Sequence, residues 1–178
     1  MPPVAPAIPL LIDYEVNAVQ RHNHSYTPDG DPNERITVQI PVLSETATAR
    51  ELLTFTESFK RLGAFVGWTN GDGEKLFSKF PLHLVSSHVL IWDEIVEDRE
   101  QTEAEFDDAI CQFKGAFLSN NDYIRQLAFV RHLKKPKDMT PTRFLTVLKQ
   151  QNSYLAQMPF SQEYGTSVGD FELHHIYF

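Results

Sequence analysis

The chain contains one cysteine, Cys111, among its 178 residues. A single cysteine cannot close a disulfide within the chain, and it cannot build a cysteine-rich zinc site. Small domains held together by disulfides or by structural zinc are therefore excluded. So low a cysteine count is typical of a reducing compartment, and we expect a cytoplasmic location.

The sequence also lacks a long apolar run. A membrane-spanning helix needs roughly 18 or more consecutive apolar residues, and no stretch approaches that length. The amino-terminal stretch M-P-P-V-A-P-A-I-P-L-L-I has no basic residue at its start and is interrupted by prolines, unlike a signal peptide. We expect no membrane partner and no targeting segment.

Basic residues are outnumbered, with 16 Lys and Arg against 24 Asp and Glu, which gives a net charge of −8. Because a negative surface repels phosphate groups, the chain taken whole is predicted to bind nucleic acid poorly. Apolar residues, by contrast, make up 42% of the chain and include 13 Phe and 2 Trp. That share predicts a packed core rather than a disordered chain.

Prolines are concentrated near the amino terminus, where residues 1–34 hold six of the eleven. Together with the turn-forming run Y-T-P-D-G-D-P-N-E they predict a flexible arm. The run I-T-V-Q-I-P-V-L follows, and its apolar residues alternate at Ile36, Val38 and Ile40, which predicts a short strand. Pro41 disfavours a central sheet position. We expect this strand to lie across helices or to pair with another chain, because the sequence predicts no partner strand.

Helical patterns occupy most of the remaining sequence. Thr48 with Glu51, and Thr102 with Glu105, have the spacing of capping boxes at helix starts. A helix stop is predicted at Gly63, and Ser86 or Ser87 is predicted to cap a helix. Apolar residues at helical spacing are predicted to form the core, and we select these packing residues: Phe59, Trp92, Phe106, Phe113, Leu127, Phe144 and Tyr154.

The sequence therefore predicts an all-α fold, a bundle of about six helices with a short amino-terminal strand and a disordered amino-terminal arm. Three parts are expected along the chain. Residues 1–34 form the proline-rich arm, and 35–160 form the helical domain. Residues 161–178 form a linker and a helix that stops with its apolar stripe incomplete, which is typical of a fragment of a longer protein.

Acidic residues crowd one segment between Asp93 and Asp108, interrupted by Arg99. One interpretation is a metal site or a catalytic pair of carboxylates in a small hydrolase. The interpretation that we favour is a solvated turn, because acidic side chains are favoured in the first turn of a helix.

Basic residues crowd a second segment, near the predicted helix start at Thr140 and Pro141, where a capping hydroxyl and proline at the first helical position are both favourable. We define the basic corner as Arg131, Lys134, Lys135, Lys137 and Arg143. Its side chains could contact RNA phosphate, serve as a nuclear signal, pair with acidic residues in the same or a neighbouring subunit, or form a solvated helix end. Given the net negative charge, we favour charge pairing over RNA contact.

The remaining polar residues predict no enzyme site. The histidine pairs His22 with His24, and His174 with His175, have no third ligand at zinc spacing. Ser86, Ser87 and His88 are neighbours in sequence without a nucleophile elbow. We therefore predict no catalytic residue, no metal, no cofactor and no small-molecule substrate.

Four sequence blocks, in order over residues 36–178, resemble the capsid region of a retrotransposon Gag polyprotein. The first is the strand I-P-V-L before a capped helix. The second is L-F-S-K-F-P-L-H-L followed by H-V-L-I-W-D-E-I-V-E-D, with Trp92 at the family's tryptophan position. The third is the acidic helix start Q-T-E-A-E-F-D-D-A-I-C-Q-F. The fourth is R-H-L-K-K-P-K-D-M-T-P-T-R-F with N-S-Y-L-A-Q-M-P-F.

This resemblance implies an all-helical, capsid-like domain that self-assembles into cytoplasmic virus-like particles around the element's RNA. It implies Gag–Gag contacts as the main partner interaction. The family's nucleocapsid tail, often a zinc knuckle, has no counterpart here, so RNA packaging is expected to depend on a missing carboxy-terminal region. Residues 170–178 would then be the first helix of a second capsid subdomain.

An alternative comes from a different functional class. The chain could be a helical adaptor domain, Gag-derived or unrelated, that binds peptides in a groove between helices. Ordered oligomers would favour the capsid hypothesis, and a stable monomer that captures peptides would favour the adaptor.

Overall fold

The computed structural model describes residues 21–26, 35–69, 73–160, 168–169 and 173 of the chain. This part is mostly helical. Its helices are α1 (Ala49–Phe65), α2 (Glu74–Lys79), α3 (Ser86–Val96), α4 (Glu103–Gly115), α5 (Asn120–His132) and α6 (Pro141–Gln157), and a 3-10 helix, Phe80–His83, joins α2 to α3. The described residues divide into a first compact unit that ends at Phe117 and a second that starts at Leu118.

Two strands, β1 (Arg21–Tyr26) and β2 (Ile36–Pro41), pair antiparallel in the first unit. The hydroxyls of Ser25 and Thr37 lie 3.0 Å apart across the pair. Our expectation that the I-T-V-Q-I-P strand has no partner in the chain is therefore wrong. The sequence R-H-N-H-S-Y has no apolar alternation, so the pattern of β1 gave no strand signal. The rest of the predicted arm, residues 1–20 and 27–34, lies outside the described residues.

Helix α1 begins as predicted, with a complete capping box. The Thr48 backbone N–H donates to Glu51 Oε2 at 2.6 Å, and the Glu51 N–H donates to Thr48 Oγ1 at 3.3 Å. The predicted stop at Gly63 is wrong, because α1 continues to Phe65. Gly63 instead permits close packing, since a Cβ there would lie 2.6 Å from Leu76 Cδ2.

Two other predicted helix starts need correction. Val85, not Ser86 or Ser87, precedes α3, and the Ser87 hydroxyl instead lies 3.2 Å from Glu45 Oε1. At α4, Thr102 Oγ1 accepts from the Glu105 N–H at 3.2 Å, but the Glu105 carboxylate does not complete the box. Arg99 binds that carboxylate instead.

The start of α6 matches its prediction, with Thr140 Oγ1 accepting from the Arg143 N–H and Pro141 in the first turn. Helix α5 begins with a capping box that the sequence analysis missed. Ser119 Oγ accepts from the Asp122 N–H at 3.3 Å, and the Ser119 N–H donates to Asp122 Oδ2 at 2.8 Å. Aspartate in place of the usual glutamate at the third helical position explains why the pattern was overlooked.

The core of the first unit is built from aromatic rings, with Phe80 at its centre. The Phe80 ring centroid lies 4.4 Å from that of Trp92 and 5.0 Å from that of Phe59. The rings of Phe106 and Phe113 meet it edge-on, at 5.8 and 5.5 Å. Such edge-to-face contacts add to the stabilisation that apolar burial provides. Phe80 therefore joins residues contributed by α1, α3 and α4.

The core of the second unit lies between α5 and α6, which pack on one another. Its apolar residues are fully or almost fully buried: Tyr123, Val130, Phe144, Leu148, Tyr154 and Leu155. Gln126 on α5 is buried with them, and its Nε2 donates to the backbone oxygen and to Oε1 of Gln151 on α6, each at 3.1 Å. This polar contact fixes the register of the two helices, since a slip would leave buried amide groups without partners.

Candidate functional site

The residues selected for packing lie mainly in the two cores. Phe59, Trp92, Phe106 and Phe113 are buried in the first unit. Phe144 and Tyr154 are buried in the second.

Leu127 is the exception, because it is only half-buried. The buried face of α5 runs through Tyr123, Gln126 and Val130, and Leu127 lies beside that face. Gln126 is polar, so apolar spacing in the sequence does not indicate that it is buried.

The acidic segment is organised by Arg99, whose side chain is 16% exposed. Its Nη1 donates to Glu105 Oε2 at 2.9 Å and to Asp108 Oδ2 at 2.6 Å, and its Nε donates to the Ile95 carbonyl oxygen at 2.9 Å. The guanidinium therefore ties the end of α3 to the first two turns of α4.

Most other acidic residues of this segment are exposed. They are Asp93, Glu94, Glu97, Asp98, Glu100, Glu103 and Asp107. Asp107 pairs with Lys60 at 2.8 Å on the surface. Within the described ranges, no group of three or more His, Cys, Asp or Glu side chains is arranged to hold a metal ion.

The basic corner occupies the end of α5, the connection to α6 and the first turn of α6. All five of its side chains, Arg131, Lys134, Lys135, Lys137 and Arg143, are exposed. Lys135 Nζ donates to the carbonyl oxygens of Pro136 and Met139 at 3.2 and 3.0 Å, so this lysine shapes its own connection. An exposed cluster of this kind is available to a negatively charged partner.

In the segment Ser86–His88, the Ser87 hydroxyl lies 3.2 Å from Glu45 Oε1. His88 is buried, and the edge of its ring meets the Phe117 ring at 4.9 Å between centroids. Burial lowers the pKa of the His88 imidazole, against the opposing effects of the Glu45 carboxylate and a hydrogen bond with the Leu43 backbone. His88 is therefore predominantly neutral near pH 7.

The side chains of His22 and His24, on β1, lie outside what the structure describes. His83 is buried beside the Phe59 ring, and His132 is exposed at the end of α5. His174 and His175 lie outside the described residues.

A hollow of about 280 Å³ lies beside Trp92 in the first unit, and it is also lined by Phe77, Glu74 and Asp93. Ligand pockets are typically about 300–1,000 Å³. The hollow is therefore at the lower limit for a small molecule.

Large apolar side chains also reach the surface. The exposed ones are Phe65, Leu82, Leu90, Phe117 and Ile124. Leu82 and Leu90 are the most exposed, at 67% and 72%, and they lie on consecutive elements, the 3-10 helix and α3.

A buried polar contact that the sequence did not reveal lies in the second unit. Asn152 Nδ2 donates to the Val168 carbonyl oxygen at 2.9 Å, and the Val168 N–H donates to Asn152 Oδ1 at 2.7 Å. We call this two-point contact the Asn152 clamp. A carboxamide supplies one donor and one acceptor, which match the two polar groups of a backbone residue.

None of the helices in the described residues has the length and hydropathy of a membrane span. Comparison with models of protein families, with curated proteins and with solved structures finds no match to this chain.

Proposed function

We propose that the chain is a Gag-like capsid protein that self-assembles into virus-like particles, with a structural rather than an enzymatic role. The observation that carries the proposal is the order of the four Gag-like sequence blocks on the elements of a mostly helical chain. The first block overlaps the end of β2 and leads into α1, and the second covers most of α2, the 3-10 helix and most of α3. The third covers the start of α4, and the fourth runs from the end of α5 into α6.

The surfaces of the chain support self-association in two ways. Leu82 and Leu90 place large apolar side chains in water, and burying each against another copy would be favourable by roughly 1.5–3 kcal/mol if the burial were complete. The exposed basic corner and the exposed carboxylates of the acidic segment carry opposite charges, which favours association in a defined orientation. Weak contacts of both kinds accumulate when many copies repeat them.

The finer parts of the proposal follow from the family resemblance. They are a capsid-like bundle of about six helices, RNA packaging through a nucleocapsid region outside this sequence, and particles in the cytoplasm. In this proposal the basic corner pairs with acidic surfaces, and RNA is a secondary partner.

The proposal is tested by light scattering and negative-stain electron microscopy of the purified chain over a range of concentrations and salt. We expect ordered oligomers or particles whose yield rises with concentration. Leu90→Ser should lower the yield, whereas Ser86→Ala, an exposed and uncharged change on the same helix, is the control. A chain that stays monomeric at every concentration would contradict the proposal, and peptide capture by that monomer would favour the adaptor hypothesis.

A further inference from the structure

The hollow beside Trp92 has a polar rim above an apolar floor. Its volume of about 280 Å³ suits a single side chain better than a drug-sized ligand. The floor consists of two buried and two half-buried apolar residues, which are Phe77, Trp92, Pro81 and Val96. The rim consists of four exposed polar residues, which are Glu74, Ser78, Asp93 and Gln101.

The spacing of residues on α2 and α3 creates this hollow. Glu74, Phe77 and Ser78 lie three and four residues apart, so they share one face of α2. Trp92 and Val96, four residues apart, share one face of α3. The short side chains of Ser78 and Val96 stand beside two large rings, and they leave the space between the helices unfilled.

The rim is held in place by contacts of its neighbours. Gly73, just before Glu74, has a φ of +79°, and a Cβ there would lie only 2.7 Å from the carbonyl carbon of Thr102. The start of α2 therefore packs directly on the backbone that follows Gln101. Arg99 binds both the end of α3 and the first two turns of α4, which fixes the connection that carries Gln101. A binding group held in this way is preorganised for its ligand.

The charge of the rim selects a cation. Two different helices contribute its carboxylates, Glu74 and Asp93. Among the residues that the structure describes around the hollow, none carries a positive charge. The exposed carboxylates of Glu94, Glu97 and other residues of the acidic segment lie further along the same surface, and they raise the local concentration of cations.

We propose that this hollow binds the side chain of an arginine in a basic peptide segment of a partner protein. The planar guanidinium offers five N–H donors to the carboxylates and the other oxygen atoms of the rim. Its apolar methylene groups suit the floor beside Pro81 and Val96. The acidic segment beyond the hollow suits further basic residues of the same peptide. This binding activity goes beyond self-assembly and does not depend on it.

The test uses the full chain at micromolar concentration and the fluorescence of Trp92. Trp68→Phe leaves Trp92 as the sole tryptophan, so the signal reports the hollow. The probe is the acetylated and amidated tripeptide Gly-Arg-Gly, and we expect saturable binding with a Kd on the order of millimolar that weakens with added salt. The same tripeptide with citrulline, which has the shape of arginine without its charge, should not bind. The lysine tripeptide should bind severalfold more weakly, because an ammonium group is more strongly hydrated.

Variants of exposed residues separate the hollow from its acidic surroundings. Glu74→Gln and Asp93→Asn should each weaken binding by about two- to fivefold, as expected for exposed ion pairs. Glu94→Gln is the matched control, because it removes the same charge one residue further along α3 from a side chain that does not line the hollow. Its effect should be less than about twofold. Ser78→Leu keeps both carboxylates but fills the hollow, and it should abolish saturable binding.

Equal binding of the citrulline tripeptide, or retained binding by Ser78→Leu, would overturn the proposal. If Glu94→Gln weakens binding as much as Asp93→Asn does, the acidic surface attracts cations in general and the hollow is not a site. Equal binding of the lysine tripeptide would overturn the assignment to arginine. Circular dichroism checks that each variant is folded. If Ser78→Leu does not fold, the comparison of Asp93→Asn with Glu94→Gln decides.

Discussion

The ring of Phe80 packs against the ring of Trp92 with 4.4 Å between their centroids, and both side chains are almost completely buried. Phe80 belongs to the 3-10 helix and Trp92 to α3, so this contact joins two elements that are adjacent in the chain. The same Phe80 ring also contacts the rings of Phe55 and Phe59 on α1. The stability of the first unit should therefore depend strongly on this one side chain.

Phe80→Ala should lower the free energy of unfolding by about 3–5 kcal/mol, because it leaves a cavity among several aromatic rings. Trp92→Ala should cost a similar amount. Leu82→Ala is the matched control, since Leu82 lies two residues further on and is 67% exposed, and it should change stability by less than about 0.5 kcal/mol. Urea unfolding followed by circular dichroism measures all three, and equal effects of Phe80→Ala and Leu82→Ala would contradict the proposed centre of the core.

Arg99→Met should destabilise the first unit by about 1–3 kcal/mol, because hydrogen bonds to Glu105 and Asp108 are lost and their carboxylates are left close together. Arg61→Met is the control. Arg61 is 78% exposed and pairs with Glu57 within α1, so its loss should cost no more than about 0.5 kcal/mol. Thermal unfolding of the two variants at low and high salt measures the difference. If Arg99→Met is as stable as Arg61→Met, the hydrogen bonds of Arg99 do not stabilise the first unit.

The stability of the first unit should fall in acid through His88. Its pKa is lowered in the folded chain, so the unfolded chain binds more protons once the pH drops below the ordinary histidine value of about 6.5. The stabilisation that neutral His88 provides is complete above that pH. It is lost as the pH falls through the lowered pKa that His88 has in the folded chain. His88→Gln should flatten this part of the stability profile, as measured by urea unfolding at each pH. The exposed His132→Gln, a change in the second unit, is the control.

Gly63→Ala should destabilise α1, although alanine is the better helix former, because the new Cβ would lie 2.6 Å from Leu76 Cδ2. Gly115→Ala provides the opposite case. A Cβ at Gly115 meets nothing within 4 Å, and the change should raise stability by up to about 1 kcal/mol. Opposite shifts of the melting temperature are expected. If Gly63→Ala raises the melting temperature as Gly115→Ala does, then the Leu76 side chain moves aside easily and the predicted clash is wrong.

Local sequence patterns predicted the helices well because caps and apolar spacing act within a few residues. The capping box of Thr48 and Glu51 is an example, since both partners lie in one helical turn. Contacts between distant residues were not predictable in this way. Arg99 and Glu105 meet across a connection, and their contact replaces half of the expected capping box at Thr102.

The least predictable residues were polar ones with buried roles. Gln126 and Asn152 are polar residues within the apolar stripes of α5 and α6, so apolar spacing gives no reason to select them, yet their amide groups form buried hydrogen bonds in the second unit. Phe80 was passed over for another reason. It precedes a proline in a short 3-10 helix, where helical spacing no longer indicates which side chain faces inward.

The Ser119 capping box has a consequence for the boundary between the two units, which falls just before it. Asp122, from the same helix, satisfies both the backbone N–H and the hydroxyl of Ser119. Proteolytic cleavage between Phe117 and Leu118 would therefore leave the opening turn of α5 with its own hydrogen-bonding partners.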